Sequence, residues 1–594
     1  MQNVTIRYSV NAFEQIFIEK GLELLFKNTI DSFRLRLHNP KTLLQELIAV
    51  CQSSISGVLT NNDYADSTSK ELKKTIDDDD DGLIFNKVSK KHYLKIITKL
   101  QRKDYNLAIQ SSSLILKENS DYSHNLFNSI IELTSSFNTI SDDGTSQYQE
   151  NLNNVKKKII VLLSHLLVEM INKGYSKKYL YNFFQTTFVR NVSHTAHFED
   201  RVDIFKTLLD KEDEEFTIIY LIQGNSFRFS EFKKIDNNYG KVNKRFRGAL
   251  KDVISTKAYT FLEQHKENNL LYVKLVSKDY FRAIELSLEK ISKDLDIYHL
   301  GFNDHFVKIG SQCCVIGENQ PLKASTFPSN FYIDGFTRSN TQIFEILLEK
   351  IKKISQNNVD KDSYDKIISA IRYYRTGSES PELETKLLNY WIGLEYIFTS
   401  YNTDQKTIDR IRNYFPICHS VVYVKRNLYD FHKSLERLNI SSSIANYDSS
   451  LDYFKEHSTY TTAYDNSTNQ LLKFRTRYFQ KWFEEPNKID FALKRHSDNL
   501  YWNLTRLYRI RNEIVHNAAI KNGIYIHISH MKYYLSFILN SILDFMADEP
   551  ADINNDGKVT IEDYFITQEI IFGSLKGEKL EEFMKIDNPN QVFY

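Results

Sequence analysis

The chain contains the stretch Tyr508-Arg-Ile-Arg-Asn-Glu-Ile-Val-His-Asn517, which lies inside a strongly patterned predicted helix from Asp498 to Ala518. Asn512 and His516 are four positions apart and therefore share one face of that helix. The side chain of Arg511 is long enough to bend towards the same face. The other side of the helix carries apolar residues that can pack inward, namely Leu504, Leu507 and Val515, with Ile510 and Ile514 beside them. The pattern predicts a buried helix with a polar edge.

A second arginine extends this polar edge. Arg509 lies seven positions before His516, so the two residues fall on almost the same face, and we expect Arg509 to bind the substrate. Metal-free cleavage of RNA needs one group that removes the 2′-hydroxyl proton and one that protonates the leaving 5′ oxygen. Histidine can do both near neutral pH, and a guanidinium can hold the phosphate charge. These residue types predict His516 as general acid and base, Arg511 as the phosphate-stabilising cation and Asn512 as an orienting group.

A second patterned stretch lies upstream and reads Leu387-Leu-Asn-Tyr-Trp-Ile-Gly-Leu-Glu-Tyr-Ile-Phe398. Part of it forms an apolar stripe at helical spacing, made of Leu387, Trp391, Leu394 and Phe398. Glu395 is an acid among these apolar residues. It is either an exposed or ion-paired structural residue, or a member of the catalytic set that orients Arg511 or His516. The spacing of one arginine and one histidine is a weak signal alone, so the prediction depends on both stretches together.

Together the two stretches resemble the HEPN superfamily, and within it the Apea-like group, over roughly residues 362–545. Members carry a helix with a Trp-x-x-Leu-Glu element and a later helix with an Arg-polar-x-x-x-His element. The matching residues are Trp391, Leu394 and Glu395 in the first element, and Arg511, Asn512 and His516 in the second. The chain departs from this pattern in the long segment between Pro416 and the Arg–His helix, which leaves the choice of substrate open.

The resemblance implies a helical bundle that pairs as a homodimer, with the two Arg–His helices facing each other. It also implies metal-independent endoribonuclease activity that leaves a 2′,3′-cyclic phosphate, with RNA as the substrate and no cofactor for catalysis. Members often act as toxins or in phage defence, so a regulatory partner or antitoxin is a further expectation. Some members only bind, and the alternative is therefore a non-catalytic RNA-binding or dimerisation module.

The segment after Pro550 carries a different signal, the twelve-residue loop Asp552-Ile-Asn-Asn-Asp-Gly-Lys-Val-Thr-Ile-Glu-Asp563. Oxygen-bearing side chains alternate along its first half, and Gly557 permits the sharp turn that a calcium loop needs. The loop resembles an EF-hand or dockerin-type calcium loop, with Asp in place of the final Glu. The candidate Ca²⁺ ligands are Asp552, Asn554, Asp556, Lys558 and Asp563. The alternative is a loop that starts a helix without holding a metal.

Composition predicts a mostly helical, cytoplasmic chain. Of 594 residues only 18 are Gly and 8 are Pro, so few residues interrupt long elements, and 41% hydrophobic residues can bury a sizeable core. The net charge of +1 argues against a protein that coats nucleic acid non-specifically. The four cysteines have no metal-ligand or redox spacing and predict reduced thiols. No apolar run is long enough to span a bilayer, so we expect no membrane partner.

The predicted fold is a mostly α multidomain protein in four parts. The parts are a helical N-terminal region (1–211), a small α+β domain (212–330), a HEPN-like helical bundle (362–546) with an insertion near 420–495, and a C-terminal appendage (550–594). In the α+β domain we expect a helix from Tyr280 to Lys293 and strands at 216–222, 271–276 and 297–300. In the bundle we expect one helix to end before Pro416. The N-terminal region is expected to sense, position or restrain the bundle.

Overall fold

The computed structural model describes residues 4–59, 61–79, 84–85, 87–98, 100–139, 146–190, 192–224, 227–251, 254–266, 269–302, 306–317, 324–335, 341–400, 403–517, 524–548, 550–553 and 555–587. Helices dominate these residues and the strands form one small antiparallel sheet, which confirms the mostly α multidomain fold. The chain divides into two compact units, a different division from the four successive parts expected. The first unit is Met1–Val168, Val192–Phe198 and Asp334–Tyr594, and the second is Glu169–Asn191 and Glu199–Ile333.

The N-terminal part of the first unit is helical, as the sequence predicts. Its helices are α1 (Ala12–Leu25), α2 (Pro40–Ile55), α3 (Asp63–Asp79), α4 (Lys87–Ile97), α5 (Tyr105–Glu118), α6 (Tyr122–Ser135) and most of α7 (Ser146–Asn172). α1 begins where it does because Asn11 caps it, accepting hydrogen bonds from the backbone of Phe13 and Glu14. The Glu14 carboxylate accepts a hydrogen bond from the Asn11 N–H at 2.8 Å, which completes a capping box.

The second unit is built around a five-stranded antiparallel sheet with the strand order β2-β3-β1-β4-β5. Its elements are α8 (Lys177–Phe188), α9 (Phe198–Asp210), β1 (Glu214–Gln223), α10 (Phe229–Phe232), β2 (Tyr239–Lys241), α11 (Lys244–Leu250), α12 (Thr256–Gln264), β3 (Asn269–Ser277), α13 (Tyr280–Gly301), β4 (Lys308–Gly317) and β5 (Ser325–Pro328). β1 and β3 contain the strands predicted at 216–222 and 271–276. They pair with each other along their length, from Glu214 opposite Ser277 to Ile222 opposite Asn269.

The prediction of a strand at 297–300 is wrong, because these residues belong to α13. Ile291, Leu295 and Tyr298 are buried at helical spacing in the core that α13 shares with the sheet. That packing extends the helix well beyond the predicted end at Lys293. Asp279 fixes the start of α13, since its carboxylate accepts hydrogen bonds from the backbone N–H groups of Phe281 and Arg282.

The C-terminal part of the first unit contains the candidate bundle. Its helices are α14 (Thr341–Gln356), α15 (Lys361–Glu379), α16 (Leu383–Phe398), α17 (Thr407–Val421), α18 (Tyr423–Arg437), α19 (His457–Asp465), α20 (Gln470–Glu484), α21 (Pro486–Asn517), α22 (Ile524–Ala547), α23 (Ile561–Ser574) and α24 (Leu580–Met584). No helix in the described part of the chain combines the length and the apolar character needed to cross a bilayer.

The prediction that a helix ends before Pro416 is wrong, because Pro416 lies inside α17. A proline in a helix interior costs about 3 kcal/mol, chiefly through one lost hydrogen bond and a steric clash. Phe415 and Cys418, on either side of Pro416, are almost fully buried. α17 packs against both α21 and α23, and this tertiary packing holds the helix together across the proline.

The segment expected as an insertion near 420–495 folds into α18, α19, α20 and the first turns of α21. Phe431, Phe479 and Trp482 belong to its hydrophobic core, and all three are essentially buried. Pro486 begins α21 at the position where proline is well tolerated in a helix. α21 therefore runs without a break from this core to the Arg–His motif, and the segment is an integral part of the first unit.

The segment after Pro550 is not a separate appendage, because it packs into the same unit. Val559 forms a parallel bridge with Val359, and its N–H donates to the Asn358 carbonyl at 2.9 Å. The ring of Phe565 on α23 stacks on Phe398 with a centroid distance of 4.8 Å. α24 contributes Leu580, Phe583 and Met584 to the core formed by α18–α21. The C-terminal segment is thus packed into the core of the first unit.

Candidate functional site

The apolar faces of α16 and α21 position the candidate site. The stripe predicted on α16 is confirmed, since Leu387, Trp391, Leu394 and Phe398 each have a relative exposure of 0%. On α21, Leu504, Leu507 and Ile510 are buried as expected, whereas Val515 is 48% exposed. Val515 lies in the last turn of α21, where packing on this face has ended. The ring of Trp391 contacts that of Tyr508 with a centroid distance of 5.6 Å, which brings the two motif helices together.

Glu395 connects the two motifs. Its Oε1 accepts a hydrogen bond of 2.7 Å from the indole Nε1 of Trp391, which fixes the carboxylate against α16. Its Oε2 lies 3.7 Å from Nη2 of Arg511, so the contact expected between Glu395 and Arg511 is present. The side chains of Arg511 and Glu395 are 24% and 28% exposed, respectively. The carboxylate is therefore held on one side and faces a partly exposed guanidinium on the other.

Asn512 joins the same network through its side chain. Its Oδ1 accepts a hydrogen bond from Nη1 of Arg511 at 3.0 Å, and its Nδ2 donates to the hydroxyl of Tyr64 at 3.2 Å. The amide thus contacts the guanidinium of Arg511, and the orienting role of Asn512 in catalysis stays a prediction. Tyr64 lies on α3, 448 positions away in the chain, and no local sequence signal pointed to it. Burial raises the pKa of its phenol, which keeps the group neutral.

His516 is exposed, one helical turn beyond Asn512 and in the last turn of α21. No hydrogen bond or ion pair to its ring is found among the residues that the structure describes. The structure therefore brings Glu395, Arg511 and Asn512 into contact and leaves the imidazole open to solvent on the same helix. An exposed imidazole is free to exchange protons with a bound group.

Arg509 is not part of the exposed polar edge, which corrects its prediction as a substrate-binding residue. It is 8% exposed and forms a buried ion pair with Glu46 of α2, with Glu513 at 4.0 Å. A buried guanidinium needs carboxylate partners to offset its desolvation. Sequence spacing placed Arg509 on the correct face but could not show that a helix from the N-terminal region covers that face.

The Glu46 carboxylate anchors a buried ion cluster beneath the site. It accepts hydrogen bonds of 2.8 and 3.0 Å from Nε of Arg506, and Arg506 also pairs with Glu71 of α3. Burial alone would raise the pKa of Glu46, but the guanidiniums of Arg506 and Arg509 outweigh it and hold that pKa well below its usual range. α2 and α3 are thereby fixed to α21 directly below the Arg–His motif.

The predicted calcium loop is described except for Asn554, which lies outside the described residues. Oδ2 of Asp552 accepts a hydrogen bond of 2.8 Å from the Gly557 N–H, and Gly557 has the expected left-handed turn with φ of 79°. Oδ1 of Asp556 accepts from the Lys558 N–H at 2.9 Å. The Nζ of Lys558 lies 3.7 Å from the carboxylate of Asp360, at the start of α15. The sharp turn of the loop is thus present.

Asp563, the last candidate ligand, caps α23. Its Oδ2 accepts hydrogen bonds from the Thr560 N–H at 2.8 Å and the Thr560 hydroxyl at 2.7 Å, and its Oδ1 accepts from the Ile553 N–H at 3.2 Å. Oδ1 of Asp552 is buried without a hydrogen-bond partner among the described residues and fits a cation. No group of three or more metal-ligating acid, histidine or cysteine side chains is found in that part of the chain. The arrangement supports a helix start, and calcium binding stays a prediction.

The amino-acid sequence and fold were compared with known proteins. No family model, no curated protein and no solved structure matches the chain. The assignment of function consequently depends on the residues and contacts described above.

Proposed function

We propose that the first unit is an HEPN-like endoribonuclease that cleaves RNA without a metal ion. The observation that carries the proposal is the contact network Trp391–Glu395–Arg511–Asn512, with an exposed His516 one turn further along the same helix. Residues from two distant motifs meet in this network. The network holds a guanidinium and an amide, and the imidazole of His516 follows on the last turn of the same helix. These are group types that phosphodiester cleavage requires.

Each residue has a distinct role in the proposed reaction. His516 takes the proton from the 2′-hydroxyl or returns one to the leaving 5′ oxygen. Arg511 stabilises the charge that develops on the phosphate, and it has donors to spare because a guanidinium carries five N–H groups. Among the described contacts of Arg511, one hydrogen bond is formed, to Asn512. Glu395 and Asn512 hold the guanidinium in place, so its position is set before substrate binds.

The proposal includes a homodimer in which two copies of α21 approach each other. One exposed imidazole supplies one proton-transfer group, and a second copy would supply the other. A toxin or phage-defence role belongs to the same proposal, with a regulatory partner or antitoxin to restrain the activity. The buried Arg509–Glu46 pair supports this arrangement indirectly, because it leaves Arg511 and His516 as the basic groups at the exposed end of α21.

The test is incubation of the purified full chain with total RNA in the presence of a chelator, followed by sequencing of the cut ends. We expect cleavage that the chelator does not reduce and products that end in a 2′,3′-cyclic phosphate. Arg511→Ala and His516→Ala should each abolish cleavage without unfolding the protein. His457→Ala is the matched control, because His457 is another imidazole of this unit, with a side chain 59% exposed, on α19.

Two results would contradict the proposal. Equal cleavage by the wild type and both motif variants would remove the assignment of the site. Retention of RNA without any products would instead support the non-catalytic RNA-binding or dimerisation module.

A further inference from the structure

The first unit contains a cavity of about 410 Å³ that is separate from the Arg511 network. It is partly open to solvent and is lined by the segment 31–38 and by residues of α1, α3, α7, α18, α20, α21 and α22. Ligand sites for small molecules usually have volumes of about 300–1,000 Å³. The cavity is therefore large enough for one small molecule, and its lining indicates which kind.

The lining is strongly basic, although the whole chain is almost neutral. Eight of its residues are lysine or arginine and two are aspartate or glutamate. Partner carboxylates compensate part of this charge, since Lys20 and Arg475 pair with Glu23, and Lys74 pairs with Asp498. With these carboxylates, Glu46 and Asp430 counted, eight cations face six acids around the cavity. Such an excess of positive charge favours an anionic ligand.

Three buried polar atoms of the cavity lining have no hydrogen-bond partner among the described residues. They are Nη1 of Arg475, Nε2 of His38 and Oδ1 of Asn503. Arg475 is 2% exposed, and its Nη1 lies 3.7 Å from the carboxylate of Asp430, too far for a hydrogen bond. Buried polar groups are normally paired, because an unpaired one has lost its hydrogen bonds to water without replacing them. The three atoms offer hydrogen bonds to a ligand.

Aromatic side chains complete the lining. Tyr478 is 39% exposed and Trp502 borders the same space, with the Nζ of Lys74 lying 5.5 Å from the centroid of the Trp502 ring. Aromatic surfaces next to cations bind planar bases together with their phosphate groups. We propose that this cavity binds a mononucleotide, with its phosphate near Arg34, Lys157 and Arg495 and its base against the aromatic residues. This site goes beyond the proposed RNA cleavage and does not depend on it.

The test is isothermal titration calorimetry of the full chain with AMP, GMP, CMP and UMP, with inorganic phosphate and with the four nucleosides. We expect at least one nucleoside monophosphate to bind with a stoichiometry of one per chain and at least tenfold more tightly than phosphate. The nucleosides should not bind, because the cations then have no charge to hold. Failure of all four monophosphates at millimolar concentration would overturn the proposal, as would binding of RNA oligonucleotides alone.

Matched variants locate the site. Arg495→Ala and Lys157→Ala should each weaken binding about tenfold, as loss of a charge-assisted hydrogen bond does. Lys494→Ala removes the same charge from the neighbouring, exposed position of α21, outside the lining, and should leave the affinity unchanged. Equal weakening by Lys494→Ala and Arg495→Ala would overturn the proposal. Lys157 is an exposed side chain, so its variant decides the question even if Arg495→Ala unfolds.

One further variant separates the cavity from the proposed active site. Arg511→Ala should bind the nucleotide as tightly as the wild type, whether or not the chain cleaves RNA. Loss of nucleotide binding in that variant would indicate that the nucleotide binds at the Arg–His motif, and it would contradict the proposal that the cavity is the binding site.

Discussion

Glu395 is the residue on which the candidate site depends most, because its two carboxylate oxygens contact different helices. One oxygen accepts from Trp391 of its own helix, and the other faces Arg511 of α21. A glutamine at this position keeps an acceptor for the indole but removes the charge that attracts the guanidinium. In the proposed reaction, Glu395 therefore positions Arg511 rather than reacting itself.

We expect Glu395→Gln to lower kcat for RNA cleavage roughly tenfold, which corresponds to about 1.4 kcal/mol in the activation free energy. The thermal unfolding temperature should hardly change, because the hydrogen bond to Trp391 survives. The measurement is steady-state cleavage of a defined RNA together with calorimetric unfolding. Glu384→Gln, in the first turn of the same helix, is the control. Wild-type kcat in Glu395→Gln, with Arg511→Ala inactive, would show that the carboxylate does not position Arg511.

His496 offers a second test at the scale of one residue. Its Nε2 lies 2.8 Å from Nδ1 of His419, and its ring stacks on Tyr423. Burial, together with the nearby Arg426 guanidinium, lowers the pKa of His496 to about 3. An unfolded histidine titrates near pH 6.5. Between these values the unfolded chain binds a proton that the folded chain excludes, so this histidine destabilises the fold progressively as the pH falls.

We expect His496→Gln to destabilise the protein most at pH 7, where the neutral imidazole is fully favourable. The difference in free energy of unfolding between variant and wild type should shrink as the pH is lowered towards 4.5. Urea unfolding at a series of pH values measures it, with His457→Gln as the exposed control. A difference that stays constant over this range would show that His496 is not held neutral.

At the scale of elements, the attachment of α2 and α3 to α21 depends on the buried Glu46 carboxylate. Glu46 pairs with both Arg506 and Arg509, which are 6% and 8% exposed. Removing one member of a buried ion cluster leaves uncompensated charge and costs about 3–5 kcal/mol. Exposed ion pairs such as Arg375–Glu379 contribute less than about 1 kcal/mol.

We therefore expect Glu46→Gln to reduce the free energy of unfolding by about 3 kcal/mol. Arg375→Gln should reduce it by less than about 1 kcal/mol. Denaturant unfolding followed by circular dichroism compares the two variants directly. Similar small effects of both substitutions would mean that the cluster around Glu46 is accessible to water.

Elements whose apolar residues recur at helical spacing could be predicted from the sequence. Features that depend on contacts between residues distant in the sequence could not. The apolar stripe of α16 and most of the buried face of α21 follow from helical spacing. The contact of Glu395 with Arg511 is one of the alternatives that the two stretches together left open. The helix end predicted before Pro416 was wrong because burial of the neighbouring residues on α17 stabilises the helix by more than the proline destabilises it. Arg509 misled the prediction because its partner, Glu46, lies 463 positions away. Neither effect is encoded in a short window of sequence.

At the scale of the whole molecule, the proposed activity requires two copies of the chain. We expect the purified protein to sediment as a dimer of about twice 69.9 kDa at micromolar concentration. The specific activity for RNA should fall on dilution through the dissociation range, because each copy alone lacks part of the cleft. Analytical ultracentrifugation and cleavage rates measured over the same concentrations provide the check. A monomer with full specific activity would rule out a composite site.

The first unit combines residues that are far apart in the sequence, mainly Met1–Val168 and Asp334–Tyr594. During translation, α3 therefore leaves the ribosome long before α21. The hydrogen bond between Tyr64 and Asn512 cannot form until most of the chain has been made. At about 5–20 residues per second, this delay is on the order of a minute. A nascent chain consequently lacks the contact between Asn512 and Tyr64 until α21 has been made. For the proposed nuclease, this order of synthesis would keep the active centre unassembled while the chain is being translated.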